Sequence, residues 1–301
     1  DCRNRNSFIQ DLEKLAANGQ RLTLFQMGID RFKHINEDYG HEAGDQLLRH
    51  VAVRARALLA DGKQLYRIAG DEFACMLAPG PDPAAVHGLA QSLLALAGTA
   101  RLGPYEVPFS LSLGIASAEE GWSADEIIRR SGLALAAAKA GGGKQICVFD
   151  IQLDEAATRR KQVESALMGA LERKEFHLLY QPQFDLASGR CLGVECLLRW
   201  TNPELGPVSP GEFIPIAEQI GAIEEIGAWV LQQACREISG LSEHVFVAVN
   251  VSPRQLSRGN LAATVARALD SSGLPPERLE IEITESVLAE NRSSIVETLQ
   301  Q

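Results

Sequence analysis

A change of pattern near residue 150 constrains this chain more than any other feature. Before it, short apolar runs, hairpin-like spacing and amphipathic helices are mixed; after it, apolar strands and helices follow one another in units. Between them, Asp154–Lys161 is a charged stretch without Gly, Pro or Ser, so the join is expected to be a helical connector rather than a loose tether. Length agrees, because 301 residues exceed the roughly 100–200 usual for one domain. The expected division is a first domain over 1–150, a connector over 151–165 and a second domain from 166 to 301.

In the first part, Leu22–Ile29 is an apolar, strand-like run, and Asp45–Leu59 has helical spacing through Leu47, Leu48, Val51 and Leu58. Leu65–Ile68 and Phe73–Leu77 are short apolar runs separated by Ala69-Gly70-Asp71-Glu72, a tight hairpin by its turn residues. Ala84–Leu96 and Ala124–Ala140 read as helices, and Val107–Ile115 and Ile146–Phe149 as strands. The order predicts an α+β sheet domain.

The second part runs Phe176–Gln181, Cys191–Trp200, a helix from about Pro210, a helix through Trp229–Ile238, Val245–Val251, a helix over Leu261–Leu269, then Leu279–Thr284. Such alternation predicts an α/β architecture with a parallel sheet or barrel. A (β/α)₈ barrel uses about 250 residues and eight strands, whereas about four strands precede Gln301, so a barrel would be incomplete in this chain.

Composition narrows the function classes. With 46% hydrophobic and 23% charged residues, a mainly disordered chain, a collagen-like repeat and a coiled coil are excluded. A net charge of -10 offers no overall basic field for duplex nucleic acid or anionic lipid. Small phosphate ligands stay open, since a few local donors hold them. The six cysteines are scattered without a C-x-x-C pair and do not form a disulfide framework, which fits a reducing cytoplasm. No apolar run reaches the roughly 18 residues of a membrane span, and the first residues resemble neither a signal nor a transit peptide.

Three spaced blocks carry the first resemblance: Gly28-Ile29-Asp30-Arg31-Phe32-Lys33-His34-Ile35-Asn36, then Gly40-His41-Glu42-Ala43-Gly44-Asp45, then Arg67-Ile68-Ala69-Gly70-Asp71-Glu72-Phe73. With Ser112-Leu113-Gly114-Ile115 and Ala138-Lys139 they resemble the GGDEF family of diguanylate cyclases over about residues 1–150. The resemblance implies a nucleotide-cyclase-like fold, a homodimer, and condensation of two GTP molecules into cyclic di-GMP. It implies that Asn36 and Asp45 bond the guanine edge, that Lys139 reaches phosphate and that Asp71 binds Mg²⁺. Read singly, Asn36, Asp45 and Asp71 also suit helix caps and turns.

The departures carry more information than the matches. The family's first metal aspartate is replaced by Gly28, and the hairpin's first glycine by Ala69. The family's inhibitory R-x-x-D falls on 60–63, Ala-Asp-Gly-Lys, and is absent. A cyclase-inactive domain that retains a GTP pocket is therefore expected. A residual cyclase is a weaker reading, because Gly28 removes a metal carboxylate.

The second part contains Tyr180-Gln181-Pro182, Gly193-Val194-Glu195-Cys196-Leu197-Leu198-Arg199-Trp200, Pro210–Glu218, Val249-Asn250-Val251-Ser252 and Glu280-Ile281-Glu282-Ile283-Thr284-Glu285. These blocks resemble, in order, the EAL family of cyclic di-GMP phosphodiesterases, with Glu-Cys-Leu in place of Glu-Ala-Leu. The resemblance implies a TIM-barrel-like fold, two Mg²⁺ or Mn²⁺ ions and hydrolysis of cyclic di-GMP to pGpG. It implies that Glu195, Asn250 and Glu282 are metal ligands, Glu195 being central to catalysis, and that Gln181 and Arg199 hold substrate.

Strand parity supports this independently: Gly193, Glu195, Leu197 and Arg199 share one face, and Glu280 and Glu282 share another. A divalent cation would offset the unfavourable burial of those carboxylates. The plain alternatives are a Glu195–Arg199 salt bridge and a solvated edge strand carrying Glu280 and Glu282.

The chain is expected to stop before the family's Asp-Asp-Phe-Gly segment and catalytic lysine. A sensor or membrane-anchoring segment would precede Asp1. Two function classes follow: a phosphodiesterase regulated by a degenerate cyclase domain, or a non-catalytic cyclic di-GMP receptor that signals through a partner protein.

Overall fold

The computed structural model describes residues 2–59, 64–78, 80, 82–118, 121–242, 244–257 and 260–283. Residues 60–63, Thr284 and Glu285 lie outside them. The chain divides into two compact units, Asp1–Ala157 and Thr158–Gln301. Among the described residues no helix is long and apolar enough to cross a membrane.

Unit one contains α1 (Arg5–Ala17), β1 (Leu22–Ile29), α2 (Phe32–Tyr39), α3 (His41–Leu58), β2 (Leu65–Ala69), β3 (Glu72–Leu77) and α4 (Pro83–Leu94). It continues through β4 (Gly98–Leu102), β5 (Tyr105–Phe109), β6 (Leu111–Ala118), α5 (Ala124–Ala140) and β7 (Ile146–Val148). The main sheet has the order β2-β3-β1-β6-β7. β1 is central because every one of its residues is buried, which requires packing on both sheet faces. On α3 the apolar spacing becomes a buried face of Leu47, Leu48, Val51 and Ala55. The start of α5 is set by Ser123, whose side chain accepts from the Glu126 amide.

The expected single strand Val107–Ile115 is two strands. β5 ends at Phe109 and pairs with β4 in a separate hairpin, while β6 begins at Leu111 and joins the main sheet. Ser110 makes the break: its carbonyl accepts from the Asp30 amide at 3.0 Å, and its hydroxyl donates to Asp30 Oδ2 at 2.7 Å. Ser110 thus stands at the break, held to Asp30 at the end of the β1–β6 pairing by a contact that spans 80 residues.

α6 (Ile151–Leu167) is helical throughout. In unit one, Arg129 pairs with Asp154. In unit two, Arg159 Nε donates to Glu212 at 2.8 Å, and Val163 and Leu167 enter the core.

Unit two continues with β8 (Phe176–Phe184), β9 (Cys191–Asn202), β10 (Gly206–Val208), α7 (Pro210–Ile220), α8 (Ile223–Ser239) and β11 (Phe246–Asn250). α9 (Pro253–Ser257), α10 (Leu261–Ser272), a 3-10 turn at Pro276–Arg278 and β12 (Leu279–Glu282) follow. β9 pairs antiparallel with β8 and β10 and parallel with β11, which pairs parallel with β12. One sheet face buries Phe176 and Trp200 with Phe213 of α7; the Phe176–Trp200 rings stack at 5.8 Å, and Trp200 meets Phe213 edge-on at 5.5 Å. The buried Glu175 carboxylate accepts from Trp200 Nε1 at 2.9 Å and Asn202 Nδ2 at 3.0 Å, tying the start of β8 to the end of β9.

Candidate functional site

The opposite face of the unit-two sheet carries the polar groups. Register places Gln181 beside Glu195, Glu195 beside Ala248, and Ala248 beside Glu280, one row across four strands. Two residues further along β11 and β12, Asn250 stands beside Glu282. Because side chains alternate along a strand, all of these share one face. Asn250 Nδ2 donates to Glu195 Oε1 at 2.8 Å across 55 residues of chain.

Burial, with Glu195 and Glu280 beside it, pushes the Glu282 carboxyl above the ordinary carboxylate range. Negative charge therefore accumulates on this face, where a cation would lower its energy. Arg199 is on the same face but makes no salt bridge with Glu195; its Nη1 donates to the Leu198 carbonyl at 2.9 Å. Among the described residues, no three His, Cys, Asp or Glu side chains converge closely enough to hold a metal ion by themselves. The donor set at this face is two carboxylates, Glu195 and Glu282, with the amide of Asn250, all oxygen donors of the kind hard divalent cations take. These residues fit such an ion. Glu280, which parity placed on this face, adds charge beside them.

Unit one has a cleft of about 900 Å³ lined by Asp45, Leu48, Arg49, Arg67, Ala69 and Gly70, among others; Asn36, Asp71 and Lys139 are not among its lining residues. Asn36 lies against the start of α3: a Cβ on Gly44 would stand 1.9 Å from Asn36 Oδ1, so only glycine admits that amide beside Asp45. Neither residue is a helix cap, since α2 is preceded by Arg31 and α3 by Gly40. Arg67 holds the hairpin through two donors to the Gly70 carbonyl, at 3.0 and 2.8 Å. Asp71 is at the hairpin and Lys139 in the last turn of α5; Lys139 Nζ meets Asp71 Oδ2 at 3.1 Å and Glu72 Oε1 at 3.8 Å.

A residue the sequence reading passed over organises this end of the sheet. Asp30 accepts from Ser110, from Ser112 Oγ at 2.6 Å and from the Lys144 amide at 2.9 Å. Gly143 allows it, at φ 74 with its Cβ position 2.8 Å from the Asp30 carboxyl. The only signal available in sequence was an aspartate directly after an apolar run. Gly28 does not supply the carboxylate a divalent ion needs beside Asp71, and Lys139 already stands there, so unit one's residues do not fit the metal implied by the resemblance.

Comparison with known proteins agrees with this two-part arrangement. Family models match residues 1–145 as "Diguanylate cyclase, GGDEF domain" and residues 164–301 as "EAL domain". The chain is 35% identical over 300 residues to the cyclic di-GMP phosphodiesterase NbdA of Pseudomonas aeruginosa, covering 98% of this chain and 38% of that protein. It is 34% identical over 298 residues to the bifunctional diguanylate cyclase/cyclic di-GMP phosphodiesterase MucR of the same organism, covering 97% of this chain and 43% of MucR. This chain thus spans about two fifths of the length of these curated relatives. The S helix-GGDEF-EAL structure of Vibrio cholerae LapD, described as bound to c-di-GMP, is 18% identical with a TM-score of 0.60, covering 98% of this chain and 70% of that one, and shows the fold. The chain therefore belongs to the tandem GGDEF–EAL family, with a GGDEF domain followed by an EAL domain.

Proposed function

We propose that the EAL domain hydrolyses cyclic di-GMP to pGpG, and that the GGDEF domain is inactive as a cyclase and binds GTP as a regulator. The observation that carries the first half is the Glu195–Asn250–Glu282 grouping on one sheet face. The activities for which NbdA and MucR are named support the same substrate.

Glu195, Asn250 and Glu282 would hold Mg²⁺ or Mn²⁺, which when bound lowers the pKa of water and stabilises the attacking and leaving oxygens. Gln181, beside Glu195 in register, donates an amide hydrogen bond to substrate. Arg199 offers a planar fork that matches a phosphate. Water adds to phosphorus and the ribose 3′ oxygen leaves, giving a free 3′ hydroxyl and a 5′ phosphate in pGpG. Glu195 and Glu282, oxygen donors on one face with Asn250, favour this enzyme reading over a non-catalytic receptor, since a receptor has no need of metal ligands.

The sheet of β8–β12 reads as the first part of a TIM-barrel-like domain, and 151–165 as a helical connector. A cytoplasmic homodimer, with a sensor segment upstream, suits such a protein. For the GGDEF domain, the Asn36–Gly44–Asp45 arrangement supports guanine recognition, and Gly28 and Ala69 argue against synthesis.

The test is hydrolysis by the full natural protein. Glu195→Gln keeps the side-chain shape and removes the charge, so it is expected to lower turnover by at least about 100-fold with the fold intact. Near wild-type turnover would reject the metal assignment. Calorimetric GTP titration run beside the hydrolysis rate tests the second half: GTP binding without cyclic di-GMP synthesis, accompanied by a change in rate, is expected. Absence of GTP binding would reduce the domain to a scaffold.

A further inference from the structure

The space over Gly28 is filled by a side chain of the protein. A Cβ built on Gly28 would stand 2.5 Å from Lys139 Cε and 2.6 Å from its Nζ, too close for real atoms. Gly28 is paired across the sheet with Glu72, and the ammonium reaches Asp71 at 3.1 Å and Glu72 at 3.8 Å. So one positive charge, carried on α5, occupies the position between β1 and the hairpin where the two carboxylates of β3's start converge. We propose that Lys139 is the resident cation of this site and replaces a divalent ion there, so that the GGDEF domain binds the polyphosphate of a guanine nucleotide free of metal.

The chemistry is consistent at each step. A divalent ion needs several oxygen ligands, and glycine at 28 supplies no side-chain oxygen. An ion entering beside Asp71 would meet an ammonium already within hydrogen-bonding range of the same carboxylate, a like-charge contact that disfavours it. The ammonium has three N–H donors, so one can stay on Asp71 while another turns to a phosphate oxygen. A side chain at 28 would shift the end of Lys139, whereas glycine leaves the ammonium where it stands.

This inference rests on the GTP reading for its ligand but not for its cation, and the two are tested apart. The chain carrying Glu195→Gln and Glu282→Gln, which silences the EAL site, is titrated with Mn²⁺ and followed by electron paramagnetic resonance. No bound Mn²⁺ that is lost on adding Asp71→Asn is expected up to millimolar concentration, whereas adding Gly28→Asp is expected to create such an ion. A Mn²⁺ ion held by Asp71 in the Gly28 chain, or no gain with Gly28→Asp, overturns the proposal.

In parallel, GTP affinity is measured with Mg²⁺ and with a chelator. Values within about twofold of each other, and a loss of about tenfold or more with Lys139→Gln, are expected. GTP binding only when Mg²⁺ is present overturns the proposal. GTP binding in neither condition removes the regulatory reading above and with it the polyphosphate ligand, while the Mn²⁺ experiment still decides whether Lys139 is the resident cation.

Discussion

Glu175 shows how a single buried charge is made tolerable. Burial raises its pKa, but hydrogen bonds from Arg173, Trp200 and Asn202 outweigh that and hold the carboxyl below its ordinary value. A carboxylate with a depressed pKa adds stability above the unfolded pKa, and that stability is lost as pH falls through the folded value. Glu175→Gln is therefore expected to destabilise by about 1–3 kcal/mol at neutral pH, because the buried donors of Trp200 and Asn202 lose a charged acceptor. The gap in urea midpoint between wild type and variant should shrink below about pH 4; a gap unchanged into acid would mean that the charge is not what matters.

The cysteines test burial in the same domain. Burial first, then Glu237, Cys235 and Glu195, push the Cys196 thiol up to about 12, and burial pushes Cys235 up to about 11, while Cys191 is exposed. Since the thiolate is the nucleophile, iodoacetamide at pH 8 should modify Cys191 and spare the other two. Mass spectrometry reads this directly, and equal labelling of Cys196 would contradict the packing of β9.

At the scale of elements, close approach between β6 and α5 is fixed by one residue. A Cβ on Gly114 would lie 2.2 Å from the Leu135 amide nitrogen and 2.3 Å from the Ser131 carbonyl oxygen, both backbone atoms that cannot rotate away. This is a physical reason for glycine in Ser112-Leu113-Gly114-Ile115. Gly114→Ala is expected to destabilise the GGDEF domain by at least about 2 kcal/mol, measured by thermal unfolding; a change under about 0.5 kcal/mol would show that α5 can move off the sheet. The same helix carries Lys139 at its last turn, so how it packs decides where the ammonium stands.

At the scale of the molecule, each unit has its own core. Trp200, Phe213 and Leu231 belong to one cluster in the EAL domain, while Phe25, Leu47 and Phe73 belong to another in the GGDEF domain. Two domains with separate cores need not unfold as one, so a single two-state transition is not expected. Calorimetry should resolve two transitions, with Gly114→Ala lowering one and Glu175→Gln the other. A single transition that both variants shift equally would show that the units unfold as one.

Local pattern alone determined much of this protein. The hairpin at Ala69–Glu72, the helical face of Leu47, Leu48 and Val51, and the shared face of Glu280 and Glu282 follow from periods of two and about 3.6 residues, which neighbouring residues set by themselves. The order of the motif blocks made the GGDEF–EAL organisation legible for the same reason. Tertiary structure alone decided what meets across the chain. Asn250 reaches Glu195 through the β9–β11 register, Asn36 rests on Gly44 through the α2–α3 turn, Asp30 binds Ser110 where two strands meet, and Lys139 fills the space Gly28 leaves. Each of these depends on how whole elements pack and pair, and a spacing read along one segment carries no information about the register or the distance of another.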